Sequence, residues 1–306
     1  MQTNSSLCVI ILARSSSGLA ASVRSAQQLC DSVYVACASP NDANRIRQVT
    51  ERLRAIDVVS TWSDSLAHLR NDAMRQADGD WILWLHEGET LTPDSVNGIQ
   101  QRVAGSELDR GCVYYLAVQM ADPASGTVEQ RAEPRLLPNR PGLRFAGRVA
   151  ENISRAVAAL ELDVDGLPER IDGYGRDEQT GAAESARQGL YLCEREVQQI
   201  GPSARIMNHC AECWDALDEA NEAQACYRQA AGLAEKGSTD KLLAFHGLIG
   251  LAEGDPKRQL ELCRQAAEQF PVDMPILCVM AMALQAVGQD DLSLRCYATA
   301  FRYGQI

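Results

Sequence analysis

The stretch 81–89 (WILWLHEGE) constrains the fold of this chain most, because an apolar run ends abruptly in a histidine and two acids. A continuous apolar run of this length is typical of a strand that is buried on both faces of an α/β sheet. Ligands bind at the carboxyl ends of the strands in such sheets. The side chains of His86, Glu87 and Glu89 are therefore predicted to lie at the mouth of a crevice.

Apolar strand-like runs alternate with amphipathic helical stretches over residues 1 to about 155. Strands are predicted at Leu7–Ala13, Val33–Ala38, Ile56–Ser60 and Trp81–Leu85, and helices at Gly18–Leu29, Asn44–Leu53 and Ser65–Ala77. This order, with its short connections, predicts a mostly parallel sheet with helices on both faces. Cys112–Met120 and Thr127–Leu137 are then predicted to form a hairpin through the turn-rich residues 122–126.

The pattern changes from about residue 180, where strand signals stop and paired helical stretches follow. Three segments align with one another, 223–230, 260–267 and 293–300, at separations of 37 and 33 positions. They resemble tetratricopeptide repeats, which recur about every 34 residues with small and aromatic residues at such offsets. The sequence therefore predicts an α/β domain over 1–165, a glycine-rich linker over 166–180, and a tetratricopeptide-like helical repeat domain over 181–306.

Four segments in order resemble the family-2 glycosyltransferases of the GT-A fold, and specifically the subgroup with C-terminal tetratricopeptide repeats. These segments are 7–13, 62–73, 79–85 and 134–149. The second is similar to the family's Ala-Arg-Asn-x-Ala stretch, the third to the strand before its metal motif, and the fourth to Pro-Arg-Leu-Phe-x-Asn…Phe-x-Gly-Arg-Val-His-Glu. The resemblance implies a GT-A-like α/β domain followed by an all-α repeat domain. It also implies an inverting, hexosyltransferase-type transfer from a nucleotide-sugar donor to an acceptor that the sequence does not identify.

The same resemblance implies candidate site residues. Glu151 matches the acid of the family's final segment and is the candidate catalytic base. Nucleotide-sugar binding is implied for Arg14, Asp42, Arg70, Asn71 and Arg148. A divalent metal, Mn²⁺ or Mg²⁺, is implied at His86 and Glu89, although His86 and Gly88 replace the two aspartates of the family's Asp-x-Asp motif. The arginines of the set offer another source of positive charge for a leaving diphosphate.

Two functions stay open because every departure from the family pattern falls at a position that has a catalytic or binding role in the family. One is sugar transfer, with the repeat domain presenting an acceptor or a partner. The other is a catalytically inactive glycosyltransferase-like protein that acts as a binding scaffold through its helical repeats. The individual residues also have structural alternatives: Asp42 as a helix N-cap, Arg70 and Asn71 as anchors of a helix, and Glu151 as a hydrogen-bonded structural acid.

The composition of the chain limits the classes of partner that we expect. The net charge is −12 and no run of five or six Lys or Arg occurs, so nucleic acid is not expected as a partner. The apolar run at 7–13 is too short to span a bilayer, and a transmembrane segment is not expected. The 11 cysteines are scattered, several on apolar helical faces, which favours reduced thiols and a cytoplasmic protein.

The expected partners are a nucleotide-sugar donor, its acceptor, and a protein or peptide held by the repeats. The last helix, predicted at 290–303, carries apolar residues on more than one side. Three explanations are open: the natural chain continues beyond Ile306, the helix packs on a second copy in a homodimer, or these residues turn inward.

Overall fold

The computed structural model describes residues 5–60, 63–121, 128–174 and 181–303. The chain forms two compact units, Met1–Glu178 and Gln179–Ile306. The first unit is built on a sheet and the second is built of helices, and each is described by itself below.

The described part of the first unit contains one eight-stranded sheet. Its strands are β1 (Leu7–Ala13), β2 (Val33–Cys37), β3 (Ile56–Asp57), β4 (Trp81–His86), β5 (Glu89–Leu91), β6 (Cys112–Ala121), β7 (Val128–Pro138) and β8 (Asp163–Tyr174). They lie in the order β3-β2-β1-β4-β7-β6-β8-β5. The helices of this unit are α1 (Leu19–Leu29), α2 (Ala43–Arg52), α3 (Leu66–Gln76), α4 (Pro93–Ala104) and α5 (Ser154–Ala159).

Strands β1 to β4 form the parallel half of the sheet that the strand–helix alternation predicts. β1 runs parallel to β2 on one side and to β4 on the other, with Ile11 beside both Val35 and Leu85. Residues on both faces of β4 are buried, including Leu83 on one face and Trp84 on the other. This two-sided burial explains why the sequence there is continuously apolar rather than alternating.

The other half of the sheet is antiparallel at β7, which pairs with β4 and with β6. The predicted β6–β7 hairpin is confirmed, while its turn at 122–126 lies outside the described residues. The linker predicted over 166–180 is wrong for 166–174, because these residues belong to β8 between β6 and β5. The pairing register of β8 shifts around Pro168, since Tyr115 faces Gly166 and Ala117 faces Arg170. Such an irregularity accommodates a proline, which has no N–H for the ladder.

The described helices of the second unit are α6 (Gly181–Ile200), α7 (Ala204–Asp215), α8 (Ala220–Leu233), α9 (Thr239–Gly250), α10 (Pro256–Ala267), α11 (Met274–Ala286) and α12 (Asp290–Tyr303). The starts of α7, α9, α10 and α11 are encoded locally, because Ser203, Ser238, Asp255 and Asp273 each accept a hydrogen bond from a backbone N–H in the first turn. These are the residue types that cap helices most effectively. Among the described residues no helix is long and apolar enough to cross a membrane.

The aligned positions of the repeat motif lie in the helical core. The first residue of each aligned segment, Ala223, Leu260 and Ser293, is buried. Tyr227, four positions after the first of them, packs on the next hairpin: a Cβ atom added to Gly247 would lie 2.3 Å from the Tyr227 ring. The aromatic residue of one repeat therefore requires a glycine in the following one.

The last helix does not turn its apolar residues inward. Five large apolar residues of α12 are between 38% and 68% exposed: Leu292, Leu294, Tyr297, Phe301 and Tyr303. Ser293 and Ala300 are instead buried. The inward alternative for these five residues is wrong, and self-association through α12 stays a prediction.

We expect Gly247→Ala to destabilise the helical unit by about 1–3 kcal/mol, because the added methyl group overpacks the Tyr227 contact. Gly250→Ala is the matched control on the same helix, since nothing lies within 4 Å of an added Cβ there. It should stabilise the chain by about 0.5–1 kcal/mol through the helix preference for alanine. Urea unfolding of both variants measures the difference. A Gly247→Ala protein as stable as Gly250→Ala would contradict this packing.

Candidate functional site

The loops that follow β1 and β4 approach each other closely at the strand ends. Gly18 lies in the left-handed region (φ 71°), and a Cβ atom there would come within 2.8 Å of the Gly88 Cα. The Ser22 hydroxyl accepts a hydrogen bond of 2.8 Å from the Gly88 N–H. Glycine at position 18 lets the two loops touch, and Gly88 has a φ of 87° that favours glycine, which fixes where the His86–Glu89 turn sits.

Arg70 of α3 is buried at the centre of the site. Its Nε donates to Glu151 Oε1 at 2.6 Å and its Nη2 lies 3.0 Å from His86 Nε2. The guanidinium carbon also lies over the rings of Trp84 and Phe145, at 4.6 and 4.9 Å from the ring centroids. Three residues that the resemblance implies for the site therefore lie together in the structure: Arg70, Glu151 and His86.

The Arg70 contact fixes the tautomer of His86. An arginine guanidinium can only donate hydrogen bonds, so His86 Nε2 must accept and carries no proton. The proton of the neutral ring then lies on Nδ1, which faces Glu89 Oε1 at 3.6 Å. Both ring nitrogens are directed at protein groups.

Glu89 is buried and forms a bidentate ion pair with Arg135 of β7. Arg135 Nη1 and Nη2 donate to the two Glu89 carboxylate oxygens at 2.7 and 2.8 Å, and Nη1 also donates to the Trp84 carbonyl at 3.2 Å. Burial alone would lower the pKa of Arg135, but Glu89 and Glu133 outweigh burial and raise it. The remaining hydrogen bond to Glu89 comes from the His86 backbone N–H at 2.7 Å.

Glu151 is equally buried in its pair with Arg70. Burial raises the pKa of Glu151, but the positive charges of Arg70 and Arg14 outweigh burial and hold it below the usual 4.5. On the other side of the pair, burial lowers the pKa of Arg70 against the effect of Glu151. Because a guanidinium stays protonated in proteins, the pair is ionic at neutral pH.

Arg14 lies half-buried at the end of β1 and acts on Glu151 through its charge. Within the part of the chain that the structure describes, its side chain has no hydrogen-bond or ion-pair partner. The adjoining loop is tied down by Asp42, whose carboxylate accepts the Ser16 N–H at 2.5 Å. Asp42 occupies the N-cap position of α2, but its side chain does not cap that helix.

Asn71 and Arg148 support the 143–149 segment rather than facing the crevice ions. The Asn71 amide donates to the Phe145 carbonyl at 3.0 Å and accepts from the Phe145 N–H at 2.9 Å. Arg148 donates to the carbonyls of Ser63 and Asp64. Their roles in nucleotide-sugar binding stay predictions, and Trp62, at the start of the same motif segment, lies outside the described residues.

His86 and Glu89 do not fit a divalent metal in this arrangement. Both Glu89 oxygens are held by Arg135, and the His86 Nε2 lone pair faces Arg70. Mn²⁺ and Mg²⁺ need several oxygen ligands that are not already paired with cations. Among the described residues, no cluster of three or more His, Cys, Asp or Glu side chains is arranged to hold a metal ion.

Arg135 is the functional-site residue that sequence reasoning missed. It lies in the segment that resembles the family, but a role for it is not implied by that resemblance. The available signal was an arginine between Pro134 and Leu136 on an interior strand. A buried guanidinium requires a buried carboxylate partner, and that partner is Glu89.

Comparison with known proteins links the chain to repeat proteins. No known protein-family model matches it. A TPR repeat-containing protein of Synechococcus elongatus is 28% identical over 227 residues, which cover 69% of this chain and 53% of that protein. The chain thus spans about half the length of this curated relative. Because the helical unit begins only at Gln179, a match over 69% of the chain also includes part of the α/β unit.

Solved structures give weaker likenesses. A structure of MamA has a TM-score of 0.35 at 15% identity, over 39% of this chain and 69% of that one. YrrB, described as a TPR protein with an unusual peptide-binding site, scores 0.33 at 17% identity, over 40% of this chain and 62% of that one. Residues 1–349 of S. aureus TarS in complex with UDP-GlcNAc score 0.43 at 12% identity, over 98% of this chain and 92% of that one. These TM-scores lie below 0.5, so the fold of this chain rests on its own strands and helices.

We expect the Arg70–Glu151 pair to stabilise the chain only while Glu151 is ionised. Its pKa is depressed in the folded state, so the stabilisation is present above the unfolded value of 4.5 and is lost as pH falls through the folded value. Glu151→Gln should cost about 3 kcal/mol at neutral pH, because it leaves Arg70 buried without a counter-charge. The difference from wild type should shrink below pH 4.5.

Urea unfolding between pH 3 and pH 7 tests this expectation. Asp57→Asn is the matched control, because its ion pair with Arg47 is exposed at the surface. It should cost less than about 1 kcal/mol throughout. A Glu151→Gln deficit that stays constant down to pH 3 would show that the pair contributes nothing to acid sensitivity.

Proposed function

We propose that this chain is a glycosyltransferase-like binding protein that no longer transfers sugar. Its α/β unit keeps the family-2 pattern as a scaffold, and its helical repeat unit binds a protein or peptide partner. The observation that carries the proposal is the buried ion pair between Glu151 and Arg70, joined at 2.6 Å.

An inverting transfer needs a base that takes a proton from the acceptor hydroxyl. General bases work best when their pKa lies near the operating pH. The pKa of Glu151 is instead held below its ordinary value by Arg70 and Arg14. Oε1 of Glu151 already accepts a hydrogen bond from Arg70. Glu151 is therefore a weak base, and this oxygen is not available to an acceptor hydroxyl.

The leaving nucleoside diphosphate also needs a positive charge to receive it. Divalent metals usually supply this charge through free carboxylates, and the Glu89 carboxylate is taken by Arg135. Among the described residues that follow β1 and β4, Arg14 is a half-buried cation without a hydrogen-bond or ion-pair partner. Arg14 would have to supply that charge alone, with the single positive charge of a guanidinium in place of the two of a divalent ion.

The helical unit offers the surface for a partner. Leu243 of α9 and Met274 and Met282 of α11 are exposed large apolar residues on that unit. Flexible methionine side chains adapt to apolar partners of different shape. A protein or peptide ligand of this surface is the partner that the proposal assigns to the repeat unit.

Sugar transfer is the second candidate function, and two observations favour it. The four family-like segments occur in order along the chain. Arg14 stands beside Glu151 without a described partner and would be available to a donor diphosphate. In that case the donor would be a nucleotide-sugar, bound near the ends of β1, β2 and β4.

Release of nucleoside diphosphate from UDP-, GDP- and TDP-sugars, with and without Mn²⁺, separates the two functions. We expect the wild type to release no more than Glu151→Gln. Removing a working general base lowers the rate by about 10²–10⁴-fold. A wild-type rate that exceeds the Glu151→Gln rate by such a factor would establish enzymatic cleavage of the donor, with water or an added alcohol as the sugar acceptor, and would overturn the binding proposal. A thermal-shift measurement on the same panel reports whether nucleotide-sugars bind at all.

Self-association through α12 is a separate expectation. Leu294 and Phe301 are 67% and 68% exposed and lie seven residues apart on one helix face. If this face pairs with a second copy, light scattering should show a concentration-dependent dimer that Leu294→Glu/Phe301→Glu abolishes. Arg295→Glu changes the net charge equally on another face of α12 and should leave the dimer intact. A strict monomer at all concentrations would remove the case for this interface.

A further inference from the structure

Two metal-ligand groups converge on the guanidinium of Arg70. Glu151 Oε1 lies 2.6 Å from Nε, and the unprotonated His86 Nε2 lies 3.0 Å from Nη2. A carboxylate oxygen and a neutral imidazole nitrogen are also the groups that bind divalent ions in proteins. The arginine therefore takes up two lone pairs that would otherwise be available to a metal.

We propose that the Arg70 guanidinium is a tethered cation that occupies the place of a divalent ion between Glu151 and His86. Anion binding in the crevice then requires no divalent metal, whatever the anion. This inference goes beyond the proposed function, because it concerns cation binding in the absence of any nucleotide.

The charge balance of the network supports this assignment. Arg70 pairs with Glu151, and Arg135 pairs with Glu89 and Glu133. With His86 neutral and with Arg14 acting on Glu151, three positive and three negative charges cancel. An added divalent ion would place two further positive charges beside Arg70 and Arg135 without new anions, which a low-dielectric interior strongly disfavours.

The packing around Arg70 shows that the guanidinium is held as a fixed part of the site. Its central carbon lies over the rings of Trp84 and Phe145, and Arg70 itself belongs to α3. A cation held by two aromatic faces and two hydrogen-bond acceptors does not need to leave for a ligand to bind. Removing it would leave a space lined by the Glu151 carboxylate and the His86 ring.

Manganese titration followed by the electron paramagnetic resonance of free Mn²⁺ tests the proposal on the full chain without nucleotide. Mn²⁺ is used because it competes poorly for the 11 free thiols. Wild type and Glu151→Gln should take up the same small background of Mn²⁺. Arg70→Ala should gain one site that binds at least about tenfold more tightly than that background. Arg70→Ala/Glu151→Gln should lose the gain, and Arg70→Lys, which keeps a tethered charge, should show none.

Several outcomes would overturn the proposal. One is wild-type uptake of a Mn²⁺ equivalent that Glu151→Gln or His86→Ala abolishes. Another is a folded Arg70→Ala protein that takes up no more Mn²⁺ than its double variant. If Arg70→Ala folds only when Mn²⁺ is present, the proposal is supported. If it stays unfolded at every Mn²⁺ concentration while the double variant folds, Mn²⁺ does not replace the guanidinium and the proposal is wrong. None of these results depends on whether nucleotide-sugars bind or react.

Discussion

The bidentate pair between Arg135 and Glu89 is the interaction on which the rest of the site depends. Arg135 reaches from β7 to both oxygens of Glu89 and to the Trp84 carbonyl on β4. Glu89 in turn accepts the His86 N–H, so one ion pair fastens the end of β4, the following turn and the neighbouring strand. A buried pair of this kind adds little net stability over apolar packing, but losing one partner leaves a buried charge and is costly. The turn that carries His86 is consequently fixed in place.

Much of the fold could be predicted from the sequence because it is encoded in local periodicity and in capping residues. Continuous apolar runs locate β1 and β4, and both lie in the parallel half of the sheet. The helical repeats are predicted from aligned positions such as Ala223 and Leu260, which are buried in the structure. The apolar pattern predicts no strand or helix over 89–104, although Thr92 and Pro93 carry helix-start signals and α4 begins there with Thr92 as its cap. The linker prediction is wrong for 166–174 because it rests on glycine and proline, which usually interrupt strands, and here they lie within β8.

The candidate site could be predicted only by residue type. The sequence places His86 and Glu89 at a strand end, and the structure agrees with that position. The sequence does not show which arginine pairs with which carboxylate, because the partners come from distant elements. Arg135 lies 46 positions from Glu89, and Arg70 lies 81 positions from Glu151. The pairing depends on sheet order and on side-chain direction, and both follow from the tertiary fold. A resemblance to a family assigns the acids a chemical role without revealing that arginines already hold them.

The same ion pairs that make this sheet end well defined limit what its acids can do. A carboxylate binds a metal or accepts a proton in proportion to the lone pairs that its surroundings leave uncompensated. Glu89 has two of its oxygens on Arg135, and Glu151 has its charge matched by Arg70 and Arg14. A guanidinium supplies one positive charge where a divalent ion supplies two, and the N–H groups of Arg70 that contact Glu151 and His86 are not available to a phosphate. The same acids can therefore either order this crevice through ion pairs or support metal-assisted transfer. In this chain both acids, Glu89 and Glu151, are held by arginines.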